Sequence, residues 1–133
     1  MAAVIDASVF MSHLLTDEHE MTQKAEDIFS HLIDHNIQIF APAHFKLEIA
    51  NALLISHRRK RLDTEELQSK LIHLDHFPIT EHQPKLILIA KLAQKYNLTF
   101  YDAAYLQTAI ERNVSDLFTF DKSLKRAAQK EGF

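Results

Sequence analysis

The chain has no cysteine, no tryptophan, one glycine and three prolines in 133 residues. Without cysteine there is neither a disulfide nor a thiolate metal ligand, a composition that suits a reducing compartment. A single glycine rules out a glycine-rich phosphate cradle, and with it dinucleotide-binding and P-loop chemistry. No apolar run approaches the roughly 20 residues that cross a bilayer, and no basic stretch precedes the first apolar one. The expectation is a cytoplasmic protein without a membrane partner. Nor is there an excess of positive charge. Fifteen Lys and Arg against eighteen Asp and Glu leave a formal net charge of −3, too little to grip nucleic acid by bulk attraction.

What is present is an ordinary globular composition, 47% hydrophobic and 25% charged, in a length that suits a single domain spanning 1–133. Short apolar runs alternate with helical periods. Ala3 to Ile5 reads as a buried strand. Ala25, Ile28, Phe29 and Leu32 recur at helical spacing within 21–34. "IQIF" is strand-like, and Pro42 suits the first turn of a helix running to about Arg59. "TEELQSKLIHL" is a further helix with Thr64 as its expected cap, and its Leu67, Leu71 and Leu74, with Phe77 beyond, could face a core or a partner. "FPIT" reads as extended. Helices ending near Tyr96 and Arg112 follow, the first with Pro84 in its opening turn. "DLFTF" is a strand, and "DKSLKRAAQK" is the last helix. Strands that are apolar throughout, separated by helices, indicate an α/β fold with a mostly parallel central sheet covered on both faces.

Two acids follow strands directly, Asp6 after "AVI" and Asp121 after "LFTF". In a parallel sheet such positions share one edge, where open α/β folds place their sites. Asp102 enters at a helix start, in "LTFYDAAYLQTA". Each has an ordinary explanation as a helix cap worth about 1 kcal/mol. Glu48 resists that explanation. The helix "FKLEIANALLIS" is apolar almost all round, and between Leu47 and Ile55 its only polar side chains are Glu48 and Asn51, three apart on one face. A carboxylate there is costly unless paired or bound to a cation, or unless its face is exposed. Acids gathered together repel one another. An all-oxygen set favours magnesium or manganese over zinc, and such an ion can activate water at a phosphoryl group. Ser8 and Thr119, each two residues from an acid, can hydrogen-bond behind it. The nine histidines form no HExxH pattern; His31 and His35 come nearest to a ligand pair. "SHRRKR" at 56–61 is the one dense positive cluster.

"VIDASVF" at 4–10, "LEIANAL" at 47–53, "YDAAYLQTA" at 101–109 and "LFTFDKSL" at 117–124 resemble the four acidic blocks of the PIN domain family, in order and at the spacing of its VapC-like toxin branch. The resemblance implies a PIN-like three-layer α/β/α fold. It also implies a Mg2+- or Mn2+-dependent endoribonuclease, the toxin of a toxin–antitoxin pair, acting on tRNA or rRNA. Asp6, Glu48, Asp102 and Asp121 match the catalytic, metal-holding acids. Ser8, Asn51 and Thr119 match the polar positions beside them. Arg58, Arg59, Lys60, Arg61, Lys122, Lys125 and Arg126 are candidates for the RNA backbone. The implied partners are a second copy, in a homodimer, and a small antitoxin covering the acidic site. Phe120 departs from the glycine or asparagine usual before the last acid. Three rival readings differ in what they require. A phosphorelay receiver needs an acid pair after strand one and an aspartate near "IQIFAPAHF", and lacks both. A catalytically silent interaction module, or a nuclease of RNA processing, would keep the same fold.

Overall fold

The computed structural model describes residues 1–16 and 18–133. Its elements run β1 (Ala2–Ile5), α1 (Ala7–Leu14), α2 (His19–Asp34), β2 (Gln38–Pro42), α3 (Phe45–Arg58), α4 (Thr64–His76), β3 (Thr80–His82), α5 (Leu86–Tyr96), α6 (Phe100–Glu111), β4 (Asp116–Phe118) and α7 (Lys122–Lys130). Among the described residues the sheet has four strands, all parallel, in the order β3-β2-β1-β4. The chain builds outward from β1 through β2 to β3, then returns to place β4 on the other side of β1. That reversal puts the topological switch between β1 and β4, where α/β sheets open a crevice at their carboxyl edge.

Val4 and Ile5 in β1 and Phe40 and Ala41 in β2 are buried, as central strands covered on both faces should be. Tyr105, Leu106 and Ala109 of α6 and Phe45, Ile49 and Leu53 of α3 complete the same core. Among the described residues, four of the five left-handed backbone positions fall on non-glycine residues: Asn36, Lys60, Asn97 and Asn113, each at or just beyond a helix C-terminus. Glycine is the usual residue there and asparagine the next. A chain with a single glycine, Gly132, has used the second choice three times.

Several sequence expectations change. Pro42 ends β2 instead of opening a helix, its ring at the last residue of the strand. Helix α3 therefore starts at Phe45, and Glu48 lies in its first turn. The cap of α4 is Asp63, not Thr64. Its side chain accepts from the Glu66 N–H while Glu66 reaches back to the Asp63 N–H, a complete capping box. Residues 7–14, unassigned by periodicity, form α1. The apolar circumference of α3 is not all buried. Phe45, Ile49 and Leu53 face the core while Leu47 is 77% exposed. Leu74 is buried, and Leu67, Leu71 and Phe77 pack against the core, so this stripe faces the core. Leu53, fully buried on α3, makes the core testable: Leu53→Ala removes packed apolar volume, and urea unfolding should show a loss of about 2–5 kcal/mol.

Candidate active site

Each of the four acids stands at the start of a helix. Asp6 occupies the N-cap position of α1, Glu48 and Asp102 lie in the first turns of α3 and α6, and Asp121 caps α7. Helices α1, α3 and α7 follow β1, β2 and β4, so the topology alone delivers three of these starts to the carboxyl edge of the sheet.

Asp6 is 5% exposed, and its side chain does not cap its own helix. Its Oδ2 instead accepts from the Ser8 hydroxyl at 2.8 Å and the Thr119 hydroxyl at 2.7 Å. Both hydroxyls are held in turn from behind. Ser8 Oγ accepts the Phe120 N–H at 3.1 Å, and Thr119 Oγ1 accepts the Asp121 N–H at 3.0 Å. The Asp6 N–H donates to the Phe118 carbonyl, continuing the β1–β4 ladder to its end. Asp121 Oδ1 accepts from the Leu124 N–H at 2.8 Å. Phe120, the residue that departs from the family pattern, is partly buried and packs against the core.

Asp102 is not the cap of α6. That role falls to Thr99, whose hydroxyl accepts the Asp102 N–H at 3.1 Å and leaves the Asp102 carboxylate uncommitted to the backbone. Glu48 Oε2 accepts from the Tyr105 hydroxyl at 3.0 Å. Burial, then the Glu48 and Asp6 carboxylates, push the Tyr105 phenol far above its ordinary value, so it remains a donor. His44 Nε2 lies 3.3 Å from the same Glu48 oxygen, yet it is covered and lacks a hydrogen-bond partner. The distance qualifies as a charge contact, and the alignment does not qualify as a hydrogen bond. Sequence reading missed Tyr105 and His44 as site residues. Their spacing, three after Asp102 and four before Glu48, put them on the same helix faces.

The electrostatics bind the four together. The Asp6 carboxyl is pushed above its ordinary value chiefly by burial, with Asp102 and Glu48 adding to the rise and the two hydroxyls opposing it. Asp102 is raised chiefly by burial too, then by Asp121 and Glu48, against Thr99 and His44. Among the described residues, His44–Glu48 is the one ion pair that any of the four makes. No three aspartate, glutamate or histidine side chains among the described residues converge tightly enough to enclose an ion by themselves. The donor chemistry nevertheless fits Mg2+ or Mn2+. The side chains that would hold it all offer oxygen, none of the four acids has a lysine or arginine ion pair among the described residues, and Mg2+ commonly takes one or two carboxylates while keeping several waters.

The other candidates divide. Asn51 is exposed one turn beyond Glu48, and with His44, Leu47 and Tyr101 it lines a small cavity beside that acid. Lys122, Lys125 and Arg126 are exposed on the first turns of α7, directly after Asp121. Arg58 to Arg61 are not brought to the acids. They stand at the far end of α3, about 15 Å from Glu48 along a helix rising 1.5 Å per residue.

A four-stranded parallel α/β sheet with acids near its carboxyl edge at the switch point has the architecture in which open α/β folds place their sites. The family model described as PIN domain matches residues 3–130, and the chain belongs to that family. Among solved structures, it is similar to PAE2754 from Pyrobaculum aerophilum, at 23% identity and a TM-score of 0.70, over 97% of this chain and 81% of that one. It is also similar to Mycobacterium tuberculosis VapC20, described as a sarcin-ricin loop cleaving toxin, at 11% identity and a TM-score of 0.66, over 95% of each chain. No curated protein sequence matches it. Among the described residues, no helix is long and apolar enough to cross a membrane.

The raised Asp102 carboxyl gives a stability prediction with a definite sign. A carboxyl raised in the folded state contributes stability below its unfolded value of 3.8, and that contribution is lost as pH rises through the folded value. In metal-free buffer at neutral pH, Asp102→Asn should therefore unfold at higher urea than the natural chain. The difference should vanish below the unfolded carboxyl value, and urea titrations at both pH values check it.

Proposed function

We propose that the chain is a divalent-metal-dependent endoribonuclease that hydrolyses RNA phosphodiester bonds, with Asp6, Glu48, Asp102 and Asp121 as its catalytic acids. The observation that carries this reading is the placement of Asp6 directly after β1 and of Asp121 at the end of the short loop after the adjacent strand β4, with Asp102 and Glu48 coupled to them electrostatically. Among the described residues, no lysine or arginine forms an ion pair with any of these acids. Asp6 and Asp102 would hold a Mg2+ or Mn2+ ion, with Glu48 and Asp121 contributing directly or through water. Such an ion, when bound, supplies an activated water and stabilises charge developing on the phosphoryl oxygens.

The protein's own part is positional. Ser8 and Thr119 occupy one oxygen of Asp6 and so fix the direction of the other. Tyr105 does the same for Glu48. Lys122, Lys125 and Arg126 extend a positive face from the Asp121 end of the site, suited to flanking phosphates. Attack by water in line with the P–O3′ bond leaves a 5′-phosphate and a 3′-hydroxyl. The likeness to VapC20 supports an RNA of tRNA or ribosomal type as substrate, and a toxin role held in check by an antitoxin within a homodimeric assembly. The retained acids weigh against the silent-module alternative.

The test is cleavage of total tRNA and rRNA by the purified chain with Mg2+, Mn2+ or EDTA, with product ends mapped. Cuts at few positions should require the metal. In Asp102→Asn they should fall by more than about 100-fold, beyond the usual effect of losing an outer-shell partner. Equal activity in the variant would refute the assignment. Metal binding without cleavage of any RNA would favour the silent module.

A further inference from the structure

Away from the acids, three titratable side chains on three helices form a chain. Glu26 of α2 lies 2.5 Å, Oε1 to Nδ1, from His13 of α1. His13 Nε2 faces His73 Nε2 of α4 at 3.0 Å. The ring centroids of the two histidines are 5.2 Å apart, a separation that sets the two nitrogens nearly head-on. Both rings lie against aromatic neighbours, His73 from an exposed position on α4. His13 meets the Phe10 and Phe29 rings, and His73 meets Phe10 and Phe77. The charged groups facing the pair are Glu26 from α2 and Lys70 from α4, whose ammonium donates to the Leu14 carbonyl.

The geometry limits how many protons the pair can carry. An N–H···N bond fits between nitrogens 3.0 Å apart. Two N–H groups facing each other would leave their hydrogens roughly 1 Å apart, since each N–H spans about 1 Å of such a gap. With His13 Nδ1–H donated to Glu26, a neutral pair closes the bridge through His73 Nε2–H. One added proton is accommodated, because the charged ring donates and the neutral ring accepts. A second added proton turns both facing nitrogens into donors.

We propose that Glu26, His13 and His73 form an acid-sensitive latch joining α2, α1 and α4, closed while the histidine pair carries at most one added proton and opened by the second. The same environment resists that second proton. Burial, then the His13 ring, then Lys70 hold His73 below the ordinary histidine value, against the pull of Glu26. The sign follows. A histidine depressed in the folded state contributes stability above its unfolded value of 6.5, and that contribution is lost as pH falls through the folded value.

The experiment is an imidazole NMR titration in EDTA between about pH 8 and 5, the range in which histidine charge changes. In the natural chain the His13 and His73 signals should each show two inflections, since each ring senses the other's proton. In His13→Gln, His73 should titrate in one step displaced upward, toward the ordinary value. Single-step, independent curves in the natural chain, or a His73 curve unmoved by His13→Gln, would overturn the latch. Urea unfolding over the same range gives a second reading. His73→Gln can still donate to His13 but cannot charge, so it should lose less stability toward acid than the natural chain. Equal losses would also overturn the proposal.

Discussion

The site rests on how one buried carboxylate is satisfied. Asp6 is almost wholly removed from water, and a buried carboxylate is costly unless hydrogen-bonded or paired. Here the partners are neutral hydroxyls, Ser8 from its own helix and Thr119 from the loop after β4. Each hydroxyl also receives a backbone N–H from residues 120 and 121. The loop between β4 and α7 is therefore folded around Asp6, and the position of Asp121 follows from it. An arginine or lysine would have satisfied the same carboxylate and cancelled its charge. Hydroxyls satisfy it and leave the charge in place.

That retained charge decides the balance among the acids. All four stand where a helix start favours negative charge, an effect worth about 0.3–1 kcal/mol at each exposed terminus. If those dipoles dominated, the carboxyls would fall below their ordinary values. Asp6 and Asp102 instead rise, driven by burial and by their neighbours. In Asp6 and Asp102, desolvation and the neighbouring carboxylates outweigh the hydroxyls that oppose them. Arranging carboxylates at the expense of the folded state is the pattern expected of a functional site, where local stability is given up for chemistry.

Much of this was legible in the residues, for identifiable reasons. Asp6 and Asp121 declared themselves because a parallel sheet collects strand ends on one edge, whatever the strand order. The order itself, which makes β1 and β4 neighbours, was not legible, because apolar runs of similar composition do not say which will pair. The blocks around the four acids carried the family, and residues 3–130 match it. Glu48 was singled out for a reason the fold does not sustain. Periodicity treated α3 as buried on nearly every side, whereas its outer face bears an exposed Leu47 beside Glu48. Pro42 misled in the same region, since a proline is as acceptable at a strand end as in a first helical turn. Tyr105 was read correctly as buried but not as a donor to Glu48, because only the tertiary fold brings the two side chains together.

The basic residues show how position overrides composition. "SHRRKR" is the densest positive run, yet α3 carries it away from the edge where its own first turn places Glu48. Lys122, Lys125 and Arg126 are fewer, but Asp121 fixes where they begin, and their spacing of three and four puts them on one face. Leu124, Ala127 and Ala128 of the same helix are buried, which forces that charged face outward. On the proposed reading, phosphates reaching the acids would meet this short face first. The chain's net charge of −3 would not collect RNA from a distance, so on that reading this face would act only locally. Recognition would then depend on the fit of a particular RNA around one edge of the sheet, with long-range attraction contributing little.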